Sequence, residues 1–218
     1  VPEAFETPMK PFTAKPLIVS DSFNHAENRL MLQWQWNHNP SEQCWSFTER
    51  PGYLRLRTEN TAKDILSARN TLTQRTSGPR CAFSVTLETG GLKSGDYAGL
   101  AAFQGNYGTI GVQKDGSRNR VVVVCGRDAG GRQVVKDSAP ISQMKVHLRI
   151  AFDYENDRDT ASFFFSEDGV NWRAVGWELQ LKYTLDLFIG CRIGIFYYSE
   201  KEAGGFADFQ QFTYDEQA

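Results

Sequence analysis

The 218-residue sequence has no long apolar run, no C-x-x-C pair, and almost no stretch that keeps a helical period beyond two turns. Each absence removes a class of protein. No run approaches the ~18 apolar residues that span a bilayer as a helix, so no helical membrane anchor is expected. Cys44, Cys81, Cys125 and Cys191 are far apart in sequence, with no histidine cluster nearby. That spacing argues against a zinc site and for buried or incidental thiols. The three histidines, His25, His38 and His147, stand at no metal-ligand spacing. With 24 Lys and Arg against 26 Asp and Glu, the net charge of −2 provides no field to gather nucleic acid or an anionic membrane. The start, Val1-Pro2-Glu3-Ala4-Phe5, lacks the basic and apolar regions of a signal peptide, as an internal fragment of a longer chain would.

What is present is aromatic and glycine-rich: 15 Phe, 8 Tyr, 5 Trp and 19 Gly, a composition that suits sheets. Residues 1–16 hold four of the eight prolines, Pro2, Pro8, Pro11 and Pro16. Proline removes donors and restricts the residue before it, so this segment reads as an extended strap. From residue 17 to 218 short strands alternate with turns. Tyr53-Leu54-Arg55-Leu56-Arg57 has period two, and so does 81–88. Lys145 to Asp153 places Val146, Leu148, Ile150 and Phe152 on one face. Further strands are expected at 97–104, 108–113, 120–126, 132–136, 190–199 and 206–214, with at most a short helical turn at 61–68. Regular strands between Gly-rich turns predict an all-β, two-sheet antiparallel jelly-roll β-sandwich.

Several segments have residue types that recognise sugar. Trp34, Trp36 and Trp45 lie close together among amides, followed by Asn37 and His38. A pyranose has an apolar face that can lie on an indole, worth ~1.5 kcal/mol for ~60 Å² buried, while amides bond its hydroxyls. The competing reading puts Trp34 and Trp36 in the core. Asn70 and Gln74 share one face of a strand so polar that it should border a cleft or form a solvent-facing edge. Gln104 and Tyr107 flank a glycine-rich strand end, and Tyr198 ends a late strand. Glu49 is a lone carboxylate without an opposing partner for glycoside hydrolysis, and fits a turn ion pair better. Ser166-Glu167-Asp168-Gly169 is a hairpin signal similar to an Asp-box turn. Asp21 near the first strand and Asp208 near the last are candidates for a structural calcium site. No other cofactor is expected.

The run Leu32-Gln33-Trp34-Gln35-Trp36-Asn37-His38-Asn39-Pro40, followed by Trp45 to Leu56 with its Glu49-Arg50-Pro51-Gly52-Tyr53 turn, resembles a known domain. Asn70 to Arg75, Ala98-Gly99-Leu100 and Gly204 to Phe209 extend the match. The resemblance is to the C-terminal concanavalin A-like domain of glycoside hydrolase family 43 β-xylosidases and α-arabinofuranosidases. It implies a sandwich packed on a five-bladed propeller that hydrolyses β-1,4-xylosides with inversion. The catalytic carboxylates belong to that propeller, which needs ~200–250 residues of its own, so none is assigned here. The resemblance also implies an aromatic at the rim of the propeller's active site, a role that falls to Phe188. The expected function is a non-catalytic module for xylan or xylo-oligosaccharide, with Trp36, Asn37, His38, Asn70, Gln74, Gln104, Tyr107, Phe188 and Tyr198 as sugar contacts. The alternative is a domain that completes a β-xylosidase's active-site rim and oligomer without holding sugar alone. A stand-alone sandwich glycosidase is the third reading. As part of a polysaccharide-degrading enzyme the chain would work in an extracellular, periplasmic or cytoplasmic setting.

Overall fold

The computed structural model describes residues 13–116, 119–182 and 190–216. Its strands run in chain order as β1 (Gln35–Trp36), β2 (Trp45–Ser46), β3 (Leu54–Arg57), β4 (Leu72–Arg75), β5 (Arg80–Glu88), β6 (Asp96–Phe103) and β7 (Gly108–Asp115). There follow β8 (Asn119–Arg127), β9 (Gln133–Pro140), β10 (Lys145–Asp153), β11 (Thr160–Ser166), β12 (Arg173–Gln180), β13 (Arg192–Ser199) and β14 (Phe206–Asp215). They form two sheets of seven, ordered β1-β4-β13-β6-β7-β8-β9 and β12-β11-β10-β5-β14-β3-β2. Every strand pairing is antiparallel. The only helical pieces among the described residues are single turns at Glu42–Cys44 and Glu155–Asp157.

Period-two burial drives this arrangement. On β10 Val146, Leu148, Ile150 and Phe152 are buried, while the residues between them are partly exposed. Leu148 faces Val85 and Phe165, and Ile150 faces Phe83 and Phe163, across the neighbouring strands. β3 repeats the rule with Leu54 and Leu56 inward and Arg55 and Arg57 outward. The opposite sheet closes the core with Ala98, Leu100, Ile110, Val112, Ile193 and Ile195.

The first sheet departs from simple alternation. All eight residues of β6 and all eight of β13 are buried, on both faces. Consecutive residues such as Tyr97 and Ala98, or Phe196 and Tyr197, cannot both point into one core, because side chains alternate across a strand. Tyr197 joins the core between the sheets, whereas Tyr97, Ala101, Phe103, Phe196 and Tyr198 form a second cluster on the outward face. The irregular segment 58–70 covers that face with Ile65 and Ala68, both essentially inaccessible. Ala62 N–H ties the segment to β13 by donating to Ser199 O at 2.8 Å. The expected helical turn at 61–68 is a hydrogen-bonded turn at Asp64–Ser67 instead, with Ser67 N–H donating to the Asp64 backbone oxygen and carboxylate.

Within the Trp-rich run 32–40 only the two-residue strand β1 forms. One further expectation changes. The polar strand around Asn70 to Arg75 is interior: Asn70, Thr71, Thr73 and Gln74 are buried, and β4 lies between β1 and β13. Residues 1–12 of the Pro-rich strap lie outside the described residues, while Thr13 to Leu17 are exposed.

Candidate functional site

Three amides expected to meet sugar hydroxyls meet the backbone of this chain instead. Gln74 is fully buried, accepts from Val19 N–H at 3.1 Å and donates to Val19 O at 3.1 Å. Asn70 accepts from Ser41 N–H at 3.2 Å and donates to Ser41 O at 3.0 Å. Gln104, oriented to match its surroundings, accepts from Lys182 N–H at 3.1 Å and donates to Lys182 O at 3.2 Å. Each side chain imitates a strand partner for one peptide of an irregular segment, where unpaired backbone groups would otherwise be buried at a cost.

The aromatic candidates divide between the two cores. Trp34 is 5% exposed and its indole N–H donates to Asp21 Oδ2 at 2.8 Å. Trp36 is half-buried with its ring 5.3 Å from that of Trp45. Asn37 N–H donates to Thr71 O, and exposed His38 places Nε2 2.9 Å from Leu66 O. Tyr107 and Tyr198 are each 1% exposed. Gln133 links them, accepting from Tyr107 Oη at 2.9 Å and donating to Tyr198 Oη at 2.6 Å. Burial pushes both phenols well above their ordinary pKa. The structure therefore does not bring Trp36, Asn37, Asn70, Gln74, Gln104, Tyr107 and Tyr198 onto one open trough. Burial on the second core and pairing with backbone are the physical reasons. Phe188 lies outside the described residues.

Asp21 and Asp208 do not converge either. Asp21 accepts from Phe23 N–H, the His25 ring and Trp34 Nε1, all within 3.1 Å, and its backbone pairs with Phe212. Asp208, 2% exposed, lies between the guanidinium groups of Arg50 and Arg55 at 2.6–2.8 Å. Two arginines repel a cation, and no group of three His, Cys, Asp or Glu is assembled among the described residues.

Other carboxylates are similarly engaged. Glu49 accepts from Arg57, and less strongly from Arg55, and these bonds hold it below the ordinary carboxylate range. Asp168 accepts from Val170 N–H, Asn171 N–H and Nδ2, and Ser166 Oγ, with Gly169 at φ +77° closing the turn. These bonds hold its carboxyl far below normal and make the hairpin a structural turn. Among described carboxylates with a shift, Glu200 alone is pushed up, by burial against the opposing charge of Lys201. It lines an open pocket of about 640 Å³ with Thr61, Ala62, Lys63 and Gln133. All four cysteines are free, and burial raises the Cys125 thiol to about 11.

A second opening, of about 400 Å³, is lined by Lys15 to Leu17, Leu32 to Gln35, Arg75 and Arg192. Sequence reading did not single out Arg192, Gln133 or the covering role of segment 58–70. Ile65 and Ala68, apolar residues inside a polar loop, were the available signal for the last.

Comparison with known proteins agrees with this architecture. Residues 20–215 match the family model described as the beta xylosidase C-terminal concanavalin A-like domain. A β-xylosidase of Formosa agariphila is 27% identical over 237 residues, covering 98% of this chain and 38% of that protein. A solved bifunctional GH43-CE protein of Bacteroides eggerthii is 39% identical with a TM-score of 0.87, covering 93% of this chain and 26% of that one. An endo-1,3-β-glucanase of Streptomyces sioyaensis, 11% identical with a TM-score of 0.53, shares the fold alone. The chain thus spans well under half the length of the Formosa agariphila and Bacteroides eggerthii relatives. Its two seven-stranded sheets and the match over nearly every residue place it in the family of C-terminal concanavalin A-like domains of glycoside hydrolase family 43 β-xylosidases.

Proposed function

We propose that this chain is the non-catalytic C-terminal sandwich of a longer family 43 hydrolase acting on xylan-type substrates. Its task is to support the catalytic part rather than to hold polysaccharide alone. The observation that carries this reading is the filled outward face of the first sheet. Segment 58–70 buries Tyr97, Phe196 and Tyr198 where an open aromatic groove would have to lie. Sugar recognition needs ring faces and hydrogen-bonding groups that remain free at a solvent-accessible surface. Here the phenols and amides are bonded within the protein.

Catalysis by the chain itself would need two carboxyl groups across a groove, one of them with a raised pKa. Glu49, Glu88 and Asp208 are instead tied to arginines. The test mixes the isolated chain with insoluble xylan and measures protein left in the supernatant. No depletion is expected, and no hydrolysis of xylo-oligosaccharides. Saturable depletion would return the domain to the xylan-binding class.

A further inference from the structure

Arg192 is 5% exposed, and its Nε has no hydrogen-bond partner. Its Nη1 donates to Gln35 Oε1 at 2.8 Å and its Nη2 reaches Thr73 O at 3.4 Å. Among the described residues no carboxylate pairs with it, nor with Arg75, which adds a second positive charge to the same pocket. Burial, and then the Arg75 charge, push the Arg192 pKa below its ordinary value. Lys15 lines the opening too, and among the described residues no Asp or Glu does. A buried guanidinium with an unused donor, neutral acceptors alone and a second cation nearby is costly unless an anion arrives.

The rim says what kind of anion. Leu17 is 71% exposed and Leu32 is 92% exposed, two of five large exposed apolar side chains among the described residues. Both line this pocket. Exposed leucines around a desolvated arginine have the anatomy of a protein interface: an apolar, water-excluding ring about a charged anchor. A sugar would find little here. Trp34 is buried, Gln33 Nε2 already donates to Pro16 O, and Gln35 Oε1 already accepts from Arg192. The relatives supply a candidate partner, since 62% or more of their length lies outside the part this chain matches (100% less the 38% and 26% covered).

We propose that this pocket docks the catalytic part of the longer hydrolase through an aspartate or glutamate carboxylate, seated on Arg192 and Arg75 and ringed by Leu17 and Leu32. The inference rests on the accessory-domain reading above. Arginine suits the role, because its planar fork can bind a carboxylate through two parallel hydrogen bonds.

The experiment uses the full-length protein and, beside it, the isolated chain, each as wild type, Arg75→Glu, Leu32→Asp and Arg192→Met. Small-angle scattering measures the separation of the two parts, and limited proteolysis measures cleavage at the junction near residues 13–17. In the full-length protein every variant should expand the scattering profile and speed cleavage on the order of 10-fold or more. In the isolated chain Leu32→Asp should leave the melting temperature unchanged, and Arg75→Glu should hold or raise it, because it removes the cation that is the cross-strand partner of Arg192 and puts a carboxylate in its place. Arg192→Met should hold or raise it, because an unpartnered buried charge is removed. Wild-type compaction and cleavage rates in the full-length variants would overturn the pocket assignment and leave the accessory reading standing. A loss of melting temperature in isolated Arg192→Met equal to its effect in the full-length protein would make Arg192 a purely structural residue. Loosely tethered parts already in the wild type would sink the accessory reading, and this inference with it. Saturable binding of glucuronate to the isolated chain, lost in Arg75→Glu, would identify a sugar-acid site and overturn docking.

Discussion

The two sheets turn opposite kinds of surface outward. The second sheet presents a charged lattice: Asp208 faces both Arg55 and Glu88 across neighbouring strands. Arg50 Nη1 bridges the two like-charged carboxylates at 2.7 and 2.8 Å, and its guanidinium lies 3.6 Å from the Tyr53 ring centroid. Arg55 stacks over Phe206 in the same way. The first sheet presents rings, and a loop from elsewhere in the chain seals them into a second core. One face thus satisfies itself with ions at the surface, and the other had to be covered. Among the described residues neither leaves a free aromatic shelf, and the loose ends of recognition gather at the edge where β1, β4 and β13 meet the incoming strap.

The comparison breaks most visibly at Phe196. Phe196→Ala should cost about 3–5 kcal/mol in urea unfolding, as a fully buried ring leaves a cavity. It should also speed hydrogen exchange at 62–68, because the cover loses its platform. A variant that unfolds earlier without loosening 62–68 would show that the segment is held by other contacts. Next comes Asp208→Asn, expected to cost about 1.5–3 kcal/mol because it neutralises the acceptor shared by two arginines. Exchange at 62–68 should be unchanged in that variant, since the damage is on the other sheet.

The smallest effect concerns acid. Burial alone would raise the Glu88 carboxyl, but bonds from Arg50 and Tyr53 and the charges of Arg50 and Lys145 overcome it, leaving its pKa below 4.5. A carboxyl depressed on folding adds stability that is complete above its unfolded value and fades as pH falls through the folded one. Stability should therefore decline below pH 4.5, and Glu88→Gln should flatten that decline by under about 1 kcal/mol. Urea midpoints between about pH 5 and 3 measure it. An unchanged slope would show that Glu88 is not part of the lattice's acid response.

Much of the fold was legible. Val146 to Phe152 and Leu54 to Leu56 alternate because each strand has one buried face, and that periodicity is written in the residues themselves. The Asp168 turn was readable for a similar reason, as its acceptors and donors are neighbours in sequence. The candidate site was much less legible. Gln74, Asn70 and Gln104 are amides that could equally have faced a ligand, and their true partners lie 55, 29 and 78 positions away (104 to 182 for the last). Tyr107 and Tyr198 end glycine-rich or aromatic strands, a position equally suited to a rim, until segment 58–70 closes over them.

By itself the sequence determined the strand periodicity, the antiparallel two-layer class and the family resemblance, because these depend on local alternation and turn chemistry. Only the tertiary structure decided which polar and aromatic groups remain free. That depends on which distant segment each meets: Val19 on Gln74, Ile65 on the ring cluster, and nothing on the Nε of Arg192. Burial is a property of the assembled chain, so a residue type can announce what it could bind but not whether it is already bound.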